Sequence, residues 1–386
     1  NYHNRGNSTF SGENSLYGDF FGLDDLFTEK PEVQDGLIQV FKDMITDYDI
    51  DGFRIDTVKH VNDEFWHAFG PELEAHAAGL GKTDFFMFGE IFDFDVQFLS
   101  RFSTELPFDA TLDFAFQGTA RGFAGQNSDT DNLANFYAAD DYYTDADSNA
   151  YALPLFLGNH DIGRIGLFLN QDNPGVPDSE LLARDKLAHA LMYFGRGMPV
   201  IYYGDEQGFT GDGGDQDARQ DMMPSLVGSY NDDALIGTSA TTADSNFDDT
   251  HPLYGTLADF ASLLDAHPAL TQGAQLHRYS EADAGIYAFS RIERTEKVEY
   301  VVALNNSEAA DSAVFATDSP GANFTELWPG TGPAVAADAS GNLTVDIPAL
   351  SFKLYRADAG ISVPAVAPVV TITTPASGAE VLGRIE

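Results

Sequence analysis

Apolar residues fall at two different spacings along this chain, and the change from one to the other divides it. From residue 31 to residue 267, helical spacing alternates with short continuous apolar runs. Pro31 suits a first helical position, and Val33, Leu37, Phe41, Met44 and Tyr48 follow it at helical spacing. Residues 50–55 read as a short strand, and Phe65, Trp66 and Phe69 mark a helix running toward residue 80. Phe85-Phe-Met-Phe88 is a continuous apolar run of strand length, as expected of a strand buried on both faces. Leu112-Asp-Phe-Ala-Phe116, residues 153–158 and residues 198–204 are further strand candidates, with a helix over 181–194 between the last two. Alternation of this kind predicts parallel βα units.

After residue 268 the helical spacing stops. Runs at 286–289, 300–304, 324–328, 343–347 and 352–355 are separated by Gly, Pro and Asn turns, which predicts an antiparallel β domain of sandwich type over 268–357. Residues 1–30 read as loop. Residues 358–386 open with an Ala, Pro and Val composition typical of a linker, and Val369-Val-Thr-Ile-Thr373 then resembles the first strand of a further β module. The chain opens in a polar loop and stops in a strand-like run, so it is expected to be a piece of a longer protein.

Composition narrows the partners. Lys and Arg total 20 against 61 Asp and Glu, a formal net charge of −41, which argues against nucleic acid and anionic membrane surfaces. With 43% apolar residues, including 30 Phe, the chain can bury a large core. It has no cysteine, so disulfides, thiolate chemistry and cysteine-type zinc sites are excluded. No apolar run approaches the roughly 18 residues of a membrane-spanning helix, and no signal peptide stands at residue 1.

Three segments carry the candidate chemistry: Asp51-Gly-Phe-Arg-Ile-Asp56, Phe88-Gly-Glu90 and Gly158-Asn-His-Asp161. Each opens on or follows a strand-like run and ends in a carboxylate. A fold that gathers strand ends at one mouth would bring Asp56, Glu90 and Asp161 together with an Arg and a His. Converging carboxylates of this kind suit glycosidic-bond chemistry, with one acting as nucleophile and one as proton donor.

These segments resemble the alpha-amylase family, glycoside hydrolase family 13. Gly52-Phe-Arg-Ile-Asp56-Thr-Val-Lys59-His60 resembles its strand-4 motif, Phe88-Gly-Glu90 its strand-5 motif and Leu157-Gly-Asn159-His160-Asp161 its strand-7 motif. Gly197-Met-Pro-Val-Ile-Tyr-Tyr-Gly204 resembles the strand-8 segment, and Gly22-Leu-Asp24-Asp25-Leu26 the motif near the end of domain B. The order is the family's own, over roughly residues 15–356. The resemblance implies a (β/α)8 TIM-type barrel followed by an antiparallel β sandwich. Strands 4 to 8 would lie within 31–267, and 1–30 would be the end of domain B. The family's strand-3 motif, an Asp with an Asn-His pair, has no counterpart here. Strands 1 to 3 are therefore expected before residue 1, and five strands alone would expose two edges.

By the same resemblance Asp56 is the nucleophile, Glu90 the acid/base and Asp161 the stabiliser of the transition state. Arg54, Lys59, His60, Asn159 and His160 are the implied substrate-binding residues. Asp25 and the backbone carbonyl of His60 are the implied ligands of a structural calcium. The implied activity is retaining hydrolysis of α-1,4-glucosidic bonds in starch-like glucans by a secreted monomer, with transglycosylation, α-glucosidase action or an inactive carbohydrate-binding fragment as alternatives. Tyr202 and Tyr203 are possible sugar-stacking residues, Trp66 reads as core, and the loop Gly211-Asp-Gly-Gly-Asp-Gln-Asp-Ala-Arg219 follows the last strand at the expected rim of the site.

Overall fold

Short helix α1 (Asn14–Tyr17) and helix α2 (Pro31–Tyr48) precede the first strand, β1 (Gly52–Ile55), in the computed structural model, which describes residues 2–361. Strand and helix then alternate: α3 (Asp63–Gly79), β2 (Phe86–Gly89), α4 (Val96–Thr104), β3 (Ala110–Thr111), α5 (Phe114–Gln126), α6 (Asp131–Ala138), β4 (Pro154–Leu155), α7 (Ile165–Asp172), α8 (Asp178–Phe194) and β5 (Met198–Pro199). β1, β2 and β3 form one parallel sheet, and β4 and β5 a parallel pair. The two are joined by a backbone hydrogen bond from Asp113 N to Pro154 O, 3.0 Å.

The β1–β2 pairing depends on a glycine. A Cβ on Gly52 would lie 2.3 Å from the Phe86 carbonyl oxygen, so no other residue fits at that start of β1 without moving the neighbouring strand. Among the described residues β1 pairs only with β2, and β5 only with β4. Their side chains reflect it: Phe53 and Ile55 are half-buried, and Met198 and Val200 are exposed. The expectation that β2 is buried on both faces is corrected in the same way. Met87 is buried, but Phe86 and Phe88, on the opposite face, are half-buried.

Two further expectations change. In α2 the buried residues are Val33, Ile38 and Ile45, while Met44 is 39% exposed and Tyr48 75%. The helix therefore meets α3 on a face rotated from the one its spacing suggested. The candidate strand 112–116 is mostly helix. Asp113 caps α5, its carboxylate accepting a 2.8 Å bond from Phe116 N, and only Ala110 and Thr111 pair as β3. Capping chemistry thus overrides the apolar alternation there.

After helices α9 (Pro252–Ala266) and α10 (Ala269–Gln272) the chain turns antiparallel. Strands β6 (Ala274–Tyr279), β7 (Ile286–Ile292), β8 (Val298–Asn305), β9 (Asp311–Ala316), β10 (Asn323–Trp328), β11 (Val335–Ala336), β12 (Asn342–Ile347) and β13 (Ser351–Gly360) make two sheets. One is ordered β11-β10-β13-β8-β7-β6 and the other β12-β9. β8 and β13 are central, and every residue of β8 is buried. β13 runs to Gly360, past the expected linker start at 358; the rest of that linker and the run 369–373 lie outside the described residues. The β domain packs on α8 and α9 through Phe194, Phe260, Trp328 and Phe352, whose rings meet at 5.1–5.7 Å.

Candidate active site

Strand register brings the first two acids together. Gly52 pairs with Phe86 and Arg54 with Phe88, and the same offset of 34 residues separates Asp56 from Glu90. Side chains alternate faces along a strand, so Arg54, Asp56, Phe88 and Glu90 emerge on one side at the carboxyl ends of neighbouring strands. The pairing extends past the strand ends: Glu90 N donates to Ile55 O at 2.7 Å, and Val58 N to Glu90 O at 3.1 Å. Thr57 has φ +52, a left-handed conformation costly for a β-branched residue. In that conformation its N–H reaches Glu90 Oε2 at 3.0 Å.

The two carboxyls sit in different surroundings. Glu90 is 8% exposed, and its pKa is raised chiefly by burial, with the charges of Asp56 and Asp161 adding to the shift; the Thr57 amide and Arg54 oppose it. Asp56 is exposed, and Arg54 Nη1 donates to its Oδ1 at 2.9 Å. One carboxyl is thus buried with a raised pKa, while its neighbour is exposed and paired with a cation.

Asp161 arrives on a turn after β4. Asn159 Oδ1 accepts from Asp161 N and Ile162 N, both at 2.9 Å, and Asn159 N donates to Gly163 O at 2.9 Å. Asn159 is buried behind the turn and shapes it. His160 Nε2 lies 3.2 Å from Asp161 Oδ2. The 211–219 loop closes over the turn from the other side. Asp215 N donates to Asp161 O at 2.8 Å, and Arg219 Nη2 lies 3.6 Å from Asp161 Oδ1. Gly214 permits this approach, since a Cβ there would lie 2.5 Å from Asp161 O.

Asp56, Glu90 and Asp161 line one cleft of about 970 Å³, together with Lys59 and His60. Lys59 Nζ donates to Phe92 O. His60 is half-buried, its Nδ1 meets Ser15 Oγ at 3.1 Å, and burial lowers its pKa. Arg54, Asn159 and His160 do not line the cleft; Arg54 and His160 act on it through Asp56 and Asp161. Sequence reasoning did not find the cleft's aromatic wall of Phe10, Phe20, Phe21 and Phe92. Phe92 lies two residues after Glu90, which was its one signal, whereas the other three come from a loop with no motif of their own. Trp66 is core, donating from Nε1 to Val58 O at 3.2 Å. Tyr202 and Tyr203 hold the buried Arg164 guanidinium, at 4.5 and 5.0 Å from their ring centres.

The residues named for calcium do not make a site as they stand. Calcium takes about 6–8 oxygen ligands. The chain offers the Asp25 carboxylate and the His60 carbonyl, and Asp25 Oδ2 is already bonded to His3 Nδ1 at 2.5 Å. Among the described residues, the three acids that do converge within 4.8 Å are Asp212, Asp232 and Asp233, none of them expected. Burial and the nearby Asp212 push Asp233 up to about 6.

The family model for the alpha-amylase catalytic domain matches residues 2–235. An alpha-amylase of Streptomyces lividans is 48% identical over 378 residues, covering 98% of this chain and 41% of that protein. A cyclomaltodextrin glucanotransferase of Niallia circulans is 27% identical over 341 residues, covering 85% of this chain and 40% of its own length. Of the solved structures, an Anoxybacillus alpha-amylase superposes with a TM-score of 0.72 at 25% identity, over 91% of this chain and 68% of that one. The alpha-amylase of Geobacillus thermoleovorans complexed with acarbose superposes at 0.71 with 24% identity, over 90% and 68%. The chain spans about two fifths of the length of these two sequence relatives. With a matched segment that runs through Asp56, Glu90 and Asp161, the chain belongs to the alpha-amylase family, glycoside hydrolase family 13.

Proposed function

We propose that the protein hydrolyses α-1,4-glucosidic bonds in starch-like glucans with retention of configuration. The observation that carries this reading is the pairing of a buried Glu90, whose pKa is raised chiefly by burial, with an exposed, Arg54-paired Asp56 at matched register on adjacent strands. Neighbouring strands lie about 4.8 Å apart. Retaining enzymes need carboxyls about 5–5.5 Å apart, within reach of residues on adjacent strands, and inverting enzymes roughly 6.5–9.5 Å.

The Asp56 carboxylate attacks the anomeric carbon as the bond to the leaving oxygen breaks, and Glu90 gives its proton to that oxygen. Water then attacks the same carbon, Glu90 takes a proton from it, and Asp56 leaves. Asp161 places a negative charge beside the cation-like transition states. A sugar hydroxyl in place of that water would give transfer instead of hydrolysis. Products formed from starch, maltose and cyclodextrin separate these outcomes, and NMR of the first-formed product reports its anomer. A β-anomeric product would overturn the retaining mechanism.

A three-stranded parallel sheet followed by a parallel pair, in chain order with helices between the strands, supports assignment to consecutive strands of a (β/α)8 barrel, strands 4 to 8. The change to antiparallel pairing by Ala274 supports a domain boundary near residue 268. Glucan as the ligand agrees with the solved relatives described as complexed with acarbose or maltose.

A further inference from the structure

Gln220 ties two parts of the site together. It is fully buried just after the 211–219 loop, and both ends of its amide are used. Oε1 accepts from Arg164 Nε at 2.7 Å, while Nε2 donates to Asp217 O at 2.5 Å and to Asp233 Oδ2 at 3.0 Å. Arg164 can only donate, so the amide oxygen must face it and the NH2 must face the loop.

Arg164 is the fixed point of this arrangement. It stands three residues after Asp161, at the N-cap of α7, and is fully buried. Its Nη1 donates to Tyr203 O at 2.7 Å, and the guanidinium lies 4.5, 5.0 and 4.9 Å from the ring centres of Tyr202, Tyr203 and Phe209. The middle of the loop faces outward, with Asp215, Gln216 and Asp217 exposed. Its anchors radiate from Arg164. Gln220 bonds the Asp217 carbonyl, and Tyr202, whose ring lies against Arg164, donates from its hydroxyl to Ala218 O at 3.0 Å. From these anchors the loop reaches back to Asp161 through Asp215 N and Arg219 Nη2. The path from Arg164 through Gln220 to Asp217 thus closes a ring of contacts that begins and ends at the Asp161 turn.

Gly211 makes room for this contact. A Cβ there would lie 2.6 Å from Gln220 Nε2 and 2.8 Å from Asp217 O. The position needs an amide: a carboxylate could not donate to Asp217, and an apolar side chain could bond neither side. Resting on the role proposed above for Asp161, we propose that Gln220 is a positioning residue for glucan hydrolysis. It holds the 211–219 loop against the Asp161 turn and so keeps the Asp161 carboxylate where positive charge develops on the sugar. An interaction that matters most in the transition state is lost from kcat rather than from KM.

A double-mutant cycle separates positioning from general support of the fold. Steady-state kinetics on starch are measured for the full-length protein and for Gln220→Met, Asp161→Asn and the double variant. Gln220→Met is expected to lower kcat about tenfold and to leave KM within about twofold. In the Asp161→Asn protein the same change is expected to lower kcat by less than about twofold, because the group it positions is already gone. Melting curves report whether each variant folds. If Gln220→Met does not, Gly211→Ala takes its place in the cycle, since its Cβ would press on the same contact from the loop side. Equal losses in the two backgrounds, or a parental kcat in a folded variant, overturn the positioning role and leave the proposed function standing. Absence of starch hydrolysis by the parent protein overturns the proposed function, and the positioning role with it.

Discussion

The amide of Thr57 donates a 3.0 Å hydrogen bond to Oε2 of Glu90. The residue that follows the candidate nucleophile therefore orients the candidate acid, and its own backbone is left-handed, with φ +52. The two carboxyls are set by one local strain and one strand register, so small changes at either should be felt at both.

Glu90→Gln should lower kcat on starch by about 10²–10⁴-fold, the usual contribution of general acid–base catalysis, with a smaller change in KM. Steady-state kinetics on the full-length protein check this. A kcat within a few fold of the parent protein would remove Glu90 from the mechanism.

The pH profile should report Glu90 on its alkaline side. Its pKa is raised mainly by burial, and the charge of Asp161 raises it further. Asp161→Asn removes that charge, so whatever activity survives should decline at lower pH than in the parent protein. Arg54→Gln removes a cation that lowers the Glu90 value, and it should move the same limb the other way.

Glu90 also makes stability depend on pH. Its folded pKa lies above an unfolded value of about 4.3, so the fold disfavours the ionised form. That penalty is absent below the unfolded value and complete above the folded one. Glu90→Gln should therefore raise the melting temperature at neutral pH, and the gain should disappear below about pH 4. A gain that persisted in acid would mean that packing, not charge, is responsible.

Gly52→Ala should damage both stability and activity, because the new Cβ would meet the Phe86 carbonyl at 2.3 Å and separate β1 from β2. The loss should be well beyond the roughly ±0.5 kcal/mol of an ordinary surface change. Denaturant midpoints with turnover on the same preparation check it.

Arg196 is fully buried between Asp113 and Asp140, with N–O distances of 2.8 Å to each. Arg196→Met leaves Asp113 buried with its charge unpaired, which should cost about 3–5 kcal/mol. Replacing Arg196 and Asp113 together by apolar residues should recover part of that loss, and chemical denaturation of the single and double variants measures the difference.

Much of this protein can be read from its residues alone. The parallel and antiparallel halves, the identity of Asp56, Glu90 and Asp161, and the family follow from local spacing and short motifs, because strand ends and turns impose their residue types locally. Helix α3, strand β2 and helix α8 fell where the apolar residues placed them, β2 as a continuous apolar run and the two helices from apolar residues at helical spacing. Strands β6 and β9 were less visible, because edge strands keep polar residues that face water. What only the tertiary structure decided is relational. The register that sets Asp56 beside Glu90, the closure of Asp215 and Arg219 over the Asp161 turn, the aromatic wall from residues 10–21 and the bond between Arg164 and Gln220 all join segments far apart in the chain. Burial and neighbouring groups, not residue type, then separate a carboxyl whose pKa is raised from one that is exposed and bonded to an arginine.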